Sequence, residues 1–198
     1  MSYPPEPWDL RGHAYVGVWL VRRNDLPAPH SAATRPITIL GRGIVSAAFF
    51  VYEQPSPLTY DEIMSTVLVR DGWRPRVSIT HIWVNSPDSR DGGRELWAIP
   101  KDLADFDVAP HSSYVARTIG SLTVRAVRRL PFRLPVAFRI AQDRQGVLQV
   151  SPVAGRARLG VAGARWSFVA DGPIGFLAGR KPLLTVAIRP FHLAFGRR

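Results

Sequence analysis

The sequence predicts a mainly β protein, a β-rich α+β chain whose antiparallel strands make a closed or double-sheet barrel. Three observations carry that prediction. Short runs of β-branched and aromatic residues, several of them alternating, recur along the chain. Its 16 glycines and 18 prolines punctuate most of the joints between those runs. No apolar pattern of helical period persists beyond about three turns. Many short strands separated by turns suit a barrel or sandwich, and closure removes exposed edges.

Taken in order, MSYPPEPWDL lacks a basic stretch followed by an apolar one, so it does not read as a signal peptide. Pro4, Pro5 and Pro7 make residues 1–12 an extended arm, anchored on the body by Tyr3 and Trp8. His13–Val21 reads as a strand and Asn24–Arg35 as a loop. Pro36–Leu40 and Ile44–Tyr52 read as a hairpin turning at Gly41-Arg42-Gly43. Ile63–Val69 and Arg76–Asn85 follow, with the turn at Asp71–Pro75. In the second of these, a period of two puts Ile79, His81 and Trp83 on one face and Ser78, Thr80, Ile82 and Val84 on the other. Ser86–Gly92 is turn or short-helix material. Ser113–Arg117, Ser121–Arg128, Val136–Ala141, Val147–Val153, Ala157–Val161, Ala164–Val169 and Leu183–Ile188 continue the strands.

The 198 residues suffice for one domain with a sizeable core, and a single domain over 1–198 is expected. The longest apolar run, about Gly43–Tyr52, is too short to span a bilayer, which needs about 20 residues. No membrane association is expected, and the cytoplasm is the expected location. Cysteine is absent, which excludes disulfides, thiolate metal sites and cysteine nucleophiles. The net charge of +11 raises nucleic acid as a partner. The basic residues, however, stand singly or in pairs (Arg22-Arg23, Arg128-Arg129, Arg197-Arg198) among strand residues, with no recognition motif, so no nucleic acid is expected. An anionic small molecule or an anionic carrier protein is a milder use of the same field.

Within this arginine-rich chain there are only two lysines, Lys101 and Lys181. Arginine stays protonated and cannot act as a nucleophile, whereas a desolvated lysine can attack a carbonyl carbon. Lys101 lies in GRELWAIPKDLADF (Gly93–Phe106), among Trp97, Ile99, Pro100, Leu103 and Phe106, which can desolvate it. From spacing alone, a solvated surface lysine after a proline turn is the better fit. Glu62 has two readings as well. Thr59-Tyr60-Asp61-Glu62 matches a helix capping box, and a carboxylate within reach of a lysine can shuttle protons.

The Gly-Arg-Glu run, the apolar pair and the Pro-Lys of GRELWAIPKDLADF resemble the lysine segment of the acetoacetate decarboxylase family, and Tyr60-Asp61-Glu62 resembles that family's second active-site element. The likeness is strongest from about Ser56 to Asp107. It implies a cone-like antiparallel barrel around an internal pocket, and a lyase whose lysine forms a Schiff base with a keto acid or ketone. Lys101 and Glu62 are then catalytic. His13, Trp83, Trp97 and Ile99 are candidates for binding substrate, and Arg94 and Glu95 for supporting the lysine loop. No cofactor is expected, and a homo-oligomer is. Two departures bear on the reaction. Asp102 stands where the decarboxylase has a second lysine, and an ungapped reading puts His13 where it has an arginine. Acetoacetate is therefore expected to be a poor substrate, and aldol or dehydration chemistry a better fit. Desolvation is expected to outweigh Asp102 and depress the Lys101 pKa. The competing reading is a non-catalytic barrel binding a small ligand, such as a natural-product cyclase.

His13, His81 and His111 show none of the short spacings of a metal site, so no metal is expected. Gly41-Arg42-Gly43 lacks the rest of a phosphate loop, and no Gly-x-Ser-x-Gly is present.

Overall fold

The computed structural model describes residues 3–196. The first two residues of the predicted arm and the Arg197-Arg198 pair lie outside them. Among the described residues, thirteen strands join in one mixed sheet. They are β1 (Trp8–Arg22), the short β2 (Arg35–Pro36) and β3 (Thr38–Ile39), β4 (Arg42–Tyr52), β5 (Tyr60–Asp71) and β6 (Arg74–Val84). After the helix α1 (Pro87–Trp97) come β7 (Lys101–Leu103), β8 (Phe106–Ala109), β9 (Ser113–Ala116), β10 (Gly120–Arg129), β11 (Leu134–Arg144), β12 (Val147–Phe168) and β13 (Leu184–Phe195). Among the described residues, no helix is long and apolar enough to cross a membrane.

The strand path β11-β6-β5-β4-β1-β13-β12 returns on itself, because β11 also pairs with β12. Six of the seven pairings in this ring are antiparallel ladders of several residues. The seventh is thin: β11 meets β6 in parallel through the single pair Ile140↔Val77. The cone-like barrel therefore has one weak seam.

Alternation along the strands divides the apolar residues between two cores. One face of β1 carries Trp8, Leu10 and Ala14 into the ring, where they meet Tyr52, Tyr60, Ile79, Ile82, Trp97, Ile99 and Phe191. The opposite face carries Tyr15, Trp19 and Val21 into a second core. There they pack with Phe49, Ile63, Tyr114, Leu122, Trp166 and Phe168. The late part of β12 with β10, β9 and β8 covers that outer face, which accounts for the double-sheet character.

Three predicted elements differ. The arm ends earlier than residue 12: β1 starts at Trp8, whose indole donates to the Pro4 carbonyl (2.9 Å) and meets Trp97 edge-on. The three short strands predicted between Val147 and Val169 are one strand of 22 residues. Gly155 and Gly160 are not breaks in it. A Cβ at Gly155 would lie 2.0 Å from the His192 carbonyl oxygen, and one at Gly160 would lie 2.5 Å from that of Arg128, so they admit close neighbours. The turn or short helix expected at Ser86–Gly92 is the cap and first part of a longer helix, of 11 residues. Ser86 caps it by accepting from the Ser89 amide (3.2 Å), Pro87 opens it, and Ala98 closes it in the left-handed conformation (φ 53°).

Candidate active site

The site is assembled from four elements. Glu62 and Tyr60 lie on β5, Tyr52 at the end of β4, Ser89 in the first half of α1, and Lys101 at the start of β7. After Ala98 and Pro100 turn the chain, β7 runs parallel to β6 with Lys101 opposite Ile82. Arg94 fixes that placement, donating from Nε to the Lys101 carbonyl (2.6 Å). Gly93 makes room, since a Cβ there would sit 2.8 Å from Lys101 Cδ. Extended geometry then separates neighbours: Lys101 is 4% exposed, whereas the Asp102 side chain is 66% exposed and 3.7 Å from the Arg94 guanidinium.

All three protons of the Lys101 ammonium have acceptors. Nζ donates to Glu62 Oε2 (2.9 Å), Ser89 Oγ (3.0 Å) and the Tyr60 hydroxyl (3.3 Å). It also stands 5.0 Å from the centre of the Tyr60 ring. The other oxygen of Glu62 accepts from the Tyr52 hydroxyl (3.0 Å). Glu62 itself is 2% exposed, so a carboxylate and an ammonium pair away from water.

This pairing overturns the expected depression of the Lys101 pKa. Burial is the largest influence and pushes it down, but the charge of Glu62 and the hydrogen bonds from Glu62 and Tyr60 together carry it above the ordinary lysine value. The resting side chain is an ammonium. Burial raises Tyr52 well above the usual tyrosine range, with Glu62 adding to it, and burial raises Tyr60 too, so both remain neutral phenols, Tyr52 donating to Glu62 and Tyr60 accepting from Lys101.

The pair forms one end of a cavity of about 260 Å³ inside the ring. This is slightly under the ~300–1,000 Å³ of typical ligand pockets. Its wall is overwhelmingly apolar. Beyond Lys101, Glu62 and the two tyrosines, the lining offers as polar side chains Ser46 and Thr66, hydroxyl-bonded to one another at 2.6 Å.

Of the residues singled out from sequence, Lys101, Glu62, Trp97 and Ile99 line this cavity together. Trp83 and His13 do not. A register shift between β5 and β6 pairs Ser65 with His81 and Thr66 with Ile79, leaving Thr80 as a bulge. The extra residue reverses the alternation beyond it, so Ile79 and Ile82 face the cavity while Trp83 turns to the second core, stacked on His81. His13 falls on the odd-numbered face of β1, opposite Leu10 and Val16. There its Nδ1 bonds Glu53 (2.8 Å) and its Nε2 bonds the Tyr114 hydroxyl (2.8 Å). No arginine lines the cavity among the described residues. Glu95 is exposed, and its backbone carbonyl accepts from Arg144 (2.6 Å). Leu103 is also exposed, and Phe106 packs on the second core, so neither desolvates Lys101. Sequence reasoning missed Tyr52 and Ser89. Tyr52 follows Phe50 at the spacing of one strand face, and Ser89 lies one turn past the Ser86-Pro87 helix start.

Fold and site together define a class: a β-barrel with an internal apolar cavity and a buried lysine–carboxylate pair in its wall. A family model described as acetoacetate decarboxylase matches residues 34–132, and the chain belongs to that family. Among solved structures, acetoacetate decarboxylase from Legionella pneumophila superposes with a TM-score of 0.69 and 15% identity, over 98% of this chain and 86% of that one. The enduracididine biosynthesis enzyme MppR, complexed with the condensation product of pyruvate and imidazole 4-carboxaldehyde, superposes at 0.61 with 15% identity, over 98% and 88%. An acetoacetate decarboxylase-like enzyme from Sphingomonas wittichii RW1 gives 0.65 with 14% identity, over 98% and 91%. At such identities the likeness is one of fold. No individual curated protein matches the sequence.

Proposed function

We propose that the protein is a lyase-type enzyme that forms a Schiff base between Lys101 and a ketone or keto acid. The observation that carries this reading is the placement of Lys101 Nζ in the wall of the apolar cavity, with Glu62 Oε2 at 2.9 Å. When a carbonyl compound fills the cavity, a proton passes from the ammonium to Glu62. The two charges become a neutral amine and a neutral acid, a change that apolar surroundings favour. The amine turns about Cε–Nζ and attacks the carbonyl carbon, and the carbonyl oxygen takes up protons on the way to leaving as water. Glu62 returns its proton in that step. The products are the iminium on Lys101, one water molecule and the Glu62 carboxylate, so protons and charge balance. The carboxylate can then remove a proton from the carbon next to the iminium, giving an enamine competent for aldol or dehydration chemistry. Tyr52 holds Glu62 in place through its free oxygen.

Decarboxylation of a short β-keto acid fits less well. Its carboxylate would need a cationic partner such as arginine, and the lining supplies Lys101, already committed to Glu62. The experiment is reductive trapping: incubation with carbonyl compounds, reduction with borohydride, and mass analysis of the peptide bearing Lys101. A mass increment that Lys101→Ala abolishes supports the proposal, and its absence with every compound that binds refutes it.

The same ion pair favours a second reading. A lysine held as an ammonium by a buried carboxylate can be structural, leaving a barrel that binds an apolar ligand without covalent chemistry.

A further inference from the structure

A second concavity, about 840 Å³, lies against the cavity and shares Val77, Phe138 and Val153 with it. It follows from the thin seam of the ring. Where β6 and β11 are held by one pair, Arg74–Val77 of β6 and residues 137–139 of β11 line a slot. Charge is concentrated there. Arg74, Arg76 and Arg139 line the slot beside Trp73, which is 84% exposed and has the Arg74 guanidinium 5.5 Å from its ring centre. Asp71 is the acidic neighbour, 3.7 Å from Arg76 Nη2. Arg76 Nη1 donates to the Pro75 carbonyl (3.1 Å), and its Nε is buried without a hydrogen-bond partner. Such a donor is costly to leave unpaired, and an anion would satisfy it.

The slot and Lys101 are well separated along β6, with Val77, Phe138 and Val153 standing between the slot and the cavity. Ile82 is opposite Lys101, and Arg76 is six residues back along β6. At ~3.3 Å per residue that is about 20 Å, and the wall between is apolar save for the Ser46–Thr66 hydroxyls.

We infer that the substrate is an amphipathic carbonyl compound: a ketone or aldehyde that reaches Lys101, an extended apolar chain that fills the cavity and passes between Val77, Phe138 and Val153, and an anionic group held at the Arg76 slot. This inference rests on the Lys101 reading for its reactive end alone. It accounts for the lack of an arginine in the cavity lining among the described residues, since the anion stays at the slot. The anion can be a carboxylate of the substrate itself or a phosphate of a carrier to which it is attached.

The test compares three compounds by calorimetric binding and by reductive trapping: pyruvate, a long unbranched methyl ketone without charge, and a long unbranched keto acid whose ketone is remote from its carboxylate. The wild-type protein is expected to bind the long keto acid at least about tenfold more tightly than either other compound, the worth of one charge-assisted hydrogen bond. High salt should remove that advantage, as should Arg76→Gln. The salt series in wild-type protein decides the matter even if the variant misfolds. A phosphate ester of the same chain, run in parallel, separates the two sources of the anion. Equal binding of the charged and uncharged long compounds overturns the slot, and tighter binding of pyruvate overturns the inference as a whole. Tight binding of the keto acid without any adduct on Lys101 leaves this inference standing and refutes Schiff-base chemistry. Trapping of pyruvate alone does the reverse.

Discussion

Replacing Glu62 with glutamine tests how the lysine is held. The amide is nearly isosteric and can still accept a hydrogen bond from Nζ, so the change removes the charge and little else. In the wild type, burial pulls the Lys101 pKa down and the Glu62 carboxylate, 2.9 Å away, more than offsets it. Without the carboxylate the largest remaining influence is burial, and the pKa should cross from above the ordinary lysine value to below it. Removing one partner of a buried ion pair costs about 3–5 kcal/mol, which for a chain of this length is a fall in Tm of roughly 6–20 °C. The sign of the pH dependence follows. In the wild type, the raised pKa contributes stability that is present below the unfolded-state lysine value and lost as pH rises through the folded-state value. In the variant the contribution reverses, and folding is penalised at neutral pH, where the buried amine must shed its proton. The assay is the pH dependence of Lys101 labelling by an amine-reactive probe, read by mass spectrometry, alongside thermal unfolding. A wild-type labelling midpoint already below the ordinary value, or one that Glu62→Gln leaves in place, refutes the account of the pair.

Other consequences follow from neighbouring contacts. Gly93→Ala should place a methyl 2.8 Å from Lys101 Cδ, and the displaced amine should lose about a hundredfold in trapping rate, the usual effect of an ångström's misplacement. Trapping at the wild-type rate would show that the side chain can yield. Asp102→Asn should leave the labelling curve of Lys101 unchanged, because that carboxylate is solvated and faces Arg94; a shift comparable to that of Glu62→Gln would contradict the separation of the two faces. Acidification should weaken the fold through its histidines. Burial lowers the pKa of His13, His30, His81 and His111 below the ordinary 6.5, so the native state binds fewer protons than the unfolded chain just below that value. Their contribution is complete above 6.5 and is lost as pH falls toward the lowered native values. Urea unfolding at pH 7.5 and pH 5.5 measures it, and equal stabilities would remove the effect.

Much of the architecture could be read from period-two patterns, because burial on one face of a strand writes itself into the sequence. What could not be read depends on single residues that shift a strand's parity. Thr80 is such a residue: as one more strand position it leaves Trp83 on the face of Ile79, and as a bulge it sends Trp83 to the other core. His13 was misplaced for a related reason. Leu10 and Val16 share one face of β1 while His13 and Tyr15 share the other, a parity that an ungapped match to a distant segment does not carry. The lysine segment was legible because a lone lysine among arginines stands beside apolar residues. Its partners were less so, since Glu62, Tyr52 and Ser89 come from separate elements and meet through pairings such as Tyr52↔Tyr60 that no local spacing encodes. The balance of the Lys101 pKa was hidden likewise: the adjacent Asp102 is visible in the sequence and points away, while the carboxylate that decides the sign lies 39 residues upstream.

The most direct measurement is the mass of the tryptic peptide carrying Lys101 after borohydride reduction in the presence of a long-chain ketone or keto acid shown independently to bind. The account predicts an increment equal to the reduced imine on Lys101, absent from Lys181 and absent in Lys101→Ala. An unmodified Lys101 under saturating ligand would contradict it and leave the lysine–glutamate pair as a structural feature of a binding barrel.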